Sequence, residues 1–377
     1  MPLPPLVEPA EKLDDDEAVR TSRHRVLAGF GDIAQRRLAA AHVAVVGAGG
    51  LGSPVVLALA AAGVGTLTII DDDTVELSNL QRQILHRVAD VGAPKVDSVV
   101  RAAAELSPTT RVRTVSERIT APSAERILAG AHVVIDGTDT FETREAVASA
   151  TEALGIPLVW GVVQEFHAQV TVFWSRPTGG APAVRLADLY PSDSTGDVPT
   201  CAQVGVLGSL CLQTGGLLAT EAIKLLTGVG EPLLGRVLVI DALRARVDEI
   251  PLRAAQTDAA TAPASVDASV HTTPPPDIPH LDAVATRAAH AAGAALIDVR
   301  EPAETAEGVI PGVIEIPLAT LLAEPALAGT GPVVLVCRAG QRAQRAAVAL
   351  RDAGVAASVL RGGMDAWDEP LEMRSRA

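Results

Sequence analysis

Three groups of residues have types and spacings that could do chemistry. In the first, Gly47-Ala-Gly49-Gly50-Leu-Gly52 spells G-x-G-x-x-G directly after the apolar run His42–Val46, and Asp71 lies 19 residues beyond Gly52. Glycines at these points let backbone amides close on a phosphate. The helix N-terminus that follows favours negative charge, and a carboxylate ending the next strand can take ribose hydroxyls. This pattern predicts a nucleotide and leaves open which one. The second group lies just downstream. Asp71-Asp-Asp73-Thr-Val-Glu-Leu-Ser78-Asn79-Leu-Gln81-Arg82-Gln83 crowds acids, amides and an arginine past the ribose position, and Ala93-Pro94-Lys95 puts a lysine at a helix start. A nicotinamide site needs little cationic help, whereas a site that splits a triphosphate needs cations on the outer phosphates and a carboxylate for Mg2+. Arg82 and Lys95 meet the first need, and Asp139 in Asp136-Gly-Thr-Asp139 meets the second. In the third group, Cys337-Arg338-Ala339-Gly340-Gln341-Arg342 sets a cysteine between a strand and a helix. Such a loop can turn backbone N–H groups toward the sulfur, and the two arginines favour thiolate and persulfide forms.

Alternating strands and helices must position these groups. His42–Val46 and Thr66–Ile70 read as buried strands, with the Ala-rich helix Gly52–Ala62 between them. Further strands are expected at Arg111–Val115, His132–Ile135, Leu158–Trp160, Gln169–Trp174 and Val237–Ile240. Helical periodicity fills Lys95–Leu106, Glu142–Leu154 and Val206–Leu226. The alternation implies an α/β fold with a largely parallel, Rossmann-like sheet. Residues 1–19 read as a solvated tail, 20–252 as the nucleotide-binding domain and 253–278 as a linker rich in Ala, Thr, Asp and Pro. Residues 279–377 read as a second, smaller α/β domain with strands Ala294–Ile297, Val333–Val336 and Ala356–Leu360 and a helix Arg342–Asp352.

Composition narrows the function. The 377-residue chain carries a net charge of −14, and its only aromatics are three Trp, one Tyr and four Phe, which leaves neither the basic groove nor the stacking platform of a nucleic-acid binder. The three cysteines, Cys201, Cys211 and Cys337, contain no C-x-x-C pair. The N-terminus has prolines and acids where a secretory signal would be basic and then apolar, and the uncharged stretches Val43–Ile70 and Val198–Thr220 are broken by glycines or polar residues. A cytoplasmic protein without a membrane span is expected.

The run VGAGGLGSP…AAAGVGTLTIIDDDTVELSNLQRQILH…VGAPKV…DGTD…TEAIKLLTG resembles the MoeB/ThiF type of ubiquitin-activating-like adenylyltransferase over about Arg20–Leu252. That resemblance implies ATP-dependent adenylation of the C-terminal glycine of a ubiquitin-like sulfur carrier protein. By position it implies nucleotide contacts from Gly50, Asp71, Ser78, Asn79 and Arg82, phosphate contacts from Lys95, and Mg2+ on Asp139. It also implies that Arg23 reaches the neighbouring subunit's site in a homodimer. The C-terminal unit resembles a rhodanese domain in Asp298-Val-Arg300-Glu301, Ile310-Pro311-Gly312, the Cys337 loop and Leu360-Arg-Gly362-Gly363-Met-Asp-Ala-Trp367. The fusion is similar to MoeZ-type adenylyltransferase/sulfurtransferases. It implies that Cys337 accepts sulfane sulfur from thiosulfate or a persulfide protein, and that Cys201, aligned with a cysteine common in the family, is the candidate second thiol. Molybdenum cofactor synthesis is the family's default pathway.

Three departures accompany the resemblance. The family's two C-x-x-C pairs are missing, so no structural zinc is expected. Thr140 replaces the Asn of T-D-N, and Thr21 replaces the aromatic between Arg20 and Arg23. Cys211 is read as core and His167 as structural. Two alternatives stand beside the adenylating enzyme: an NAD-dependent dehydrogenase fused to a rhodanese, and a degenerate scaffold that docks a ubiquitin-like partner.

Overall fold

The computed structural model describes residues 3–190, 205–254, 278–306, 308–338 and 340–367. The chain divides into two units, Met1–Ala259 and Ala260–Ala377. The first holds an eight-stranded sheet in the order β3-β2-β1-β4-β5-β6-β7-β8. Its strands are β1 (His42–Val46), β2 (Thr66–Ile70), β3 (Arg111–Val115), β4 (Val133–Asp136), β5 (Leu158–Gln164), β6 (His167–Phe173), β7 (Arg236–Asp241) and β8 (Arg246–Pro251). From β3 through β5 the pairing is parallel. From β5 to β8 it turns antiparallel. The α/β fold class and the mostly parallel sheet agree with the sequence reading.

The parallel strands are legible because they are buried on both faces. β1, β2 and β4 consist mostly of Val, Ile, Ala and Leu, and none of their positions is exposed. Helix Gly52–Ala62 ends at Gly63, whose φ of +82° is left-handed and closes the helix. The uncharged stretch near residue 210 is the helix Gly208–Thr227, with Leu210, Leu218, Ala222 and Leu226 buried. It packs on helix Gly52–Ala62 so closely that a Cβ at Gly215 would collide with Pro54. Among the described residues, no helix is long and apolar enough to cross a membrane.

The segment read as a solvated tail is anchored instead. Leu3 and Val7 are buried in the core, the Leu6 N–H donates to the Leu225 carbonyl, and residues Asp15–Arg20 form a helix capped by Asp14. Two apolar side chains four residues apart supply the anchor that the surrounding prolines and acids obscure.

The second unit is a five-stranded parallel sheet, ordered β11-β10-β12-β13-β9. Its strands are β9 (His280–Leu281), β10 (Ala295–Asp298), β11 (Ile314–Glu315), β12 (Val333–Val336) and β13 (Ala357–Leu360). Helix Gln341–Asp352 covers one face, with Ala343, Ala346, Ala347 and Leu350 fully buried.

Candidate active sites

Strand order in the first sheet reverses between β1 and β4, and in such folds ligands bind beyond the carboxyl ends of the strands at that reversal. A cleft of about 340 Å3 lies there, lined by the glycine loop after β1, the acids after β2 and the turn after β4. The loop is fixed by backbone chemistry. Gly47 sits at φ +90°, and a Cβ at Gly52 would collide with the Gly47 carbonyl oxygen. Asp71 accepts hydrogen bonds from the Ala48 N–H at 2.7 Å and the Asp73 N–H at 2.9 Å. Burial pushes the Asp71 carboxyl above the usual range, opposed chiefly by the charge of Lys95. At its other end, the Ala48 carbonyl lies 3.1 Å from Nε2 of buried His86. The His86 Nδ1 meets Ser98 Oγ at 2.6 Å, and burial lowers its pKa.

Lys95 opens its helix and is nearly buried, its side chain 7% exposed. Its Nζ is 2.8 Å from Asp73, and its own N–H donates to the Asp73 carbonyl. Arg82 lies across Gly50, where a Cβ would come within 3.6 Å of its side chain, and it donates to the Ser78 carbonyl at 3.2 Å. Two cations and the loop amides thus face one cleft.

Beyond β4, Asp136 is fully buried. One carboxylate oxygen accepts from the Thr138 N–H and hydroxyl, while the other has no hydrogen-bond partner among the described residues. Burial drives its pKa up, with Arg144 as the chief opposing charge. Arg144 donates to the Thr138 carbonyl, lies over the Trp160 ring at 5.8 Å and lines the cleft. Asp139 is exposed in the same cleft and pairs with none of the described residues. Among the described residues, no group of three or more His, Cys, Asp or Glu forms a metal cage. One unengaged carboxylate in a cleft is nevertheless a donor that fits Mg2+, an ion that keeps waters and phosphate oxygens as its other ligands.

Of the residues singled out from sequence, Gly50, Asp71, Asn79, Arg82, Lys95 and Asp139 line this cleft together. Ser78 does not, because its hydroxyl turns to Glu76 at 3.0 Å. Arg23 is exposed on the short helix Ser22–Arg25 and is absent from the cleft of its own chain. Cys201 lies outside the described residues. Cys211 is core, as expected, but its sulfur also lines the cleft beside Gly50. Sequence reasoning missed His86, which stood in plain view in the Q-R-Q-I-L-H run, and Arg144, five residues past Asp139.

In the second unit Cys337 follows β12 and is 2% exposed. The Gly340 N–H donates to its sulfur at 3.2 Å, with Gly340 at φ +99°. The closing glycine motif supports the loop from behind. The Met364 N–H donates to the Cys337 carbonyl, the Asp365 N–H donates to the Arg338 carbonyl, and a Cβ at Gly363 would strike the Cys337 carbonyl oxygen. Buried Asp298 holds Arg300 through Nε and Nη2 at 2.7–3.1 Å. The two loop arginines, read from sequence as favouring thiolate and persulfide forms, each face a carboxylate. Arg342 is gripped by both oxygens of Glu304, at 2.6 and 2.7 Å, and exposed Arg338 stands 3.7 Å from Asp365.

Residues 21–261 match the ThiF family and residues 282–370 match the rhodanese-like domain. The chain is 39% identical over 400 aligned residues to the probable adenylyltransferase/sulfurtransferase MoeZ of Mycobacterium tuberculosis, covering 98% of this chain and 97% of that one. It is also 41% identical to the sulfur carrier protein adenylyltransferase of Thermus thermophilus, over 63% of this chain and 88% of that one. The molybdopterin-synthase adenylyltransferase of Salmonella typhimurium is 38% identical, over 64% and 95% respectively.

Proposed function

This chain belongs to the ThiF family, and from that premise we propose that it adenylates the C-terminal glycine of a ubiquitin-like sulfur carrier protein and then delivers sulfur to it from Cys337. The product is a carrier thiocarboxylate for molybdenum cofactor or related sulfur-transfer biosynthesis, made in the cytoplasm. The observation that carries the reading is the gathering of Arg82, Lys95, Asp71 and Asp139 around one glycine loop at the sheet's reversal point. A hydride-transfer site needs little cationic help beyond its helix dipole, so that pair of cations favours a site that handles the outer phosphates. A docking scaffold has no use for the pair together with a caged cysteine.

A carboxylate acylates poorly until its oxygen is made a leaving group. In the proposed first step a carrier carboxylate oxygen attacks the α-phosphorus of ATP, and the bond to the bridging oxygen breaks with pyrophosphate as leaving group. Asp71 orients the ribose, the loop amides and Arg82 hold the phosphates, and Lys95 meets the charge that grows on the departing oxygens. Asp139 is the residue that would hold Mg2+, which when bound neutralises phosphate charge. The carrier is bound as a folded partner and the enzyme acts as a homodimer. Exposed Val19, Val26, Leu27 and Ile33 flank exposed Arg23 along the chain and suit burial against a second copy, whose cleft Arg23 would enter.

In the second step a Cys337 persulfide, loaded from thiosulfate or a persulfide protein, attacks the acyl carbon with its terminal sulfur and AMP leaves. The resulting acyl disulfide is cleaved by a second thiolate, for which Cys201 is the candidate: it bonds to the Cys337 sulfur, the electron pair of the broken S–S bond leaves with the thiocarboxylate, and an external reducing thiol reopens the new disulfide. Incubation of the enzyme with ATP, thiosulfate and a glycine-ended carrier should replace one carrier oxygen by sulfur, read by mass spectrometry. Cys337→Ala should keep ATP–pyrophosphate exchange and lose thiocarboxylate. Full thiocarboxylate from that variant refutes the role of Cys337.

A further inference from the structure

The Cys337 loop carries arginines, yet each has a carboxylate of its own. Arg300 is tied to buried Asp298 and to the Gly308 carbonyl. Arg338 faces Asp365. Arg342, in the first turn of the helix that follows the Cys337 loop, is coupled electrostatically to Cys337, and both its terminal nitrogens are taken by Glu304 in a bidentate pair. That geometry is the one a guanidinium uses to hold an incoming oxyanion. Glu304 thus occupies the seat that a sulfonate-like donor would need.

We propose that Glu304 is a specificity-determining residue for the sulfur donor: by holding both terminal nitrogens of Arg342 it denies that guanidinium to a free dianion such as thiosulfate, so the loop favours sulfane sulfur presented as a persulfide of lower charge. This rests on the sulfur-accepting role of Cys337 proposed above. Both transfers balance. With thiosulfate, the Cys337 thiolate attacks the sulfane sulfur, the S–S bond breaks, and its electron pair leaves with sulfite. With a protonated persulfide R–S–SH, the thiolate attacks the terminal sulfur, the proton stays on it, and R–S− departs with the electron pair of the broken S–S bond. Only the first requires a doubly charged molecule to enter a neutralised loop. The short Glu304 carboxyl, held down to about 2 chiefly by the Arg342 hydrogen bond, stays ionised throughout the working pH range and keeps the seat filled.

The test uses the full chain and follows the gain of one sulfur atom on Cys337 by mass spectrometry, with thiosulfate and with cysteine persulfide as separate donors. Glu304→Gln should lower KM for thiosulfate about tenfold, the scale of one unit charge near a protein surface, with kcat changed less than about threefold. Loading from cysteine persulfide should change less than about threefold, so the donor ratio moves toward thiosulfate. Glu304→Asp, which keeps the charge, should keep the wild-type ratio. An unchanged ratio in Glu304→Gln overturns the proposal. So does equal loss of both donors in Glu304→Gln beside a normal Glu304→Asp, since Glu304 would then build the loop without choosing the donor. If neither donor loads the wild-type protein, the role of Cys337 itself fails.

Discussion

Lys95→Ala tests the adenylating cleft most sharply. The ammonium is 7% exposed, so the medium around it is far from bulk water. A unit charge at about 4 Å from a developing phosphate charge, at an effective permittivity near 20, is worth about 4 kcal/mol. Asp73 at 2.8 Å offsets part of this, but at 59% exposure its own field is well screened. A net loss of about 3 kcal/mol remains, within the range for single preorganised groups, and corresponds to about 150-fold in rate. Folding should change by less than about 1 kcal/mol, because the carboxylate left behind is solvated. The assay is exchange of labelled pyrophosphate into ATP with a glycine-ended carrier present, and kcat should fall more than KM rises. Asp73→Asn breaks the same ion pair from the other side and separates the two readings. If Lys95 merely supports Asp73, both variants drop together; if it acts on phosphate, only Lys95→Ala collapses. A Lys95→Ala rate within threefold of wild type refutes the electrostatic reasoning.

Gly52→Ala drives a methyl group into the Gly47 carbonyl and should destabilise the first unit by about 3 kcal/mol or more, seen as a lower unfolding midpoint and loss of nucleotide binding. His86→Ala removes the contacts to Ala48 and Ser98 and should cost about 2 kcal/mol. Its KM for ATP in the exchange assay should also rise about tenfold, and an unchanged KM would detach His86 from the loop. Acid should loosen the second unit through Glu304. A carboxyl lowered from 4.5 to about 2 adds stability that is present above pH 4.5 and is lost as the pH falls toward 2. With solvent screening at this part-exposed site the loss should be about 1 kcal/mol, measured by calorimetry on the full chain, and Glu304→Gln should flatten it.

What the sequence revealed follows burial. β1, β2 and β4 read clearly because a strand covered on both faces is a continuous apolar run. β8, at Arg246–Pro251, shows neither that run nor a clean alternation, with every position exposed or half-exposed, and it escaped notice. The glycine loop and Asp71 were legible because each requirement is local. Glu304 and Arg342 are 38 residues apart, so their pairing depends on how β10 and β12 bring two loops together, which no spacing rule supplies. Ser78 shows the opposite limit: the residue type suits a nucleotide contact, but neighbouring Glu76 offers its hydroxyl a nearer partner.

The backbone of Ala48 is held on both sides of its Cα, its N–H by Asp71 and its carbonyl by His86. A turn clamped in this way has already surrendered its torsional freedom when the chain folds, so nucleotide capture need not wait for any rearrangement there. The phosphate cradle then behaves as stiff scaffolding, and the entropic cost of ordering it has been met before any ligand arrives.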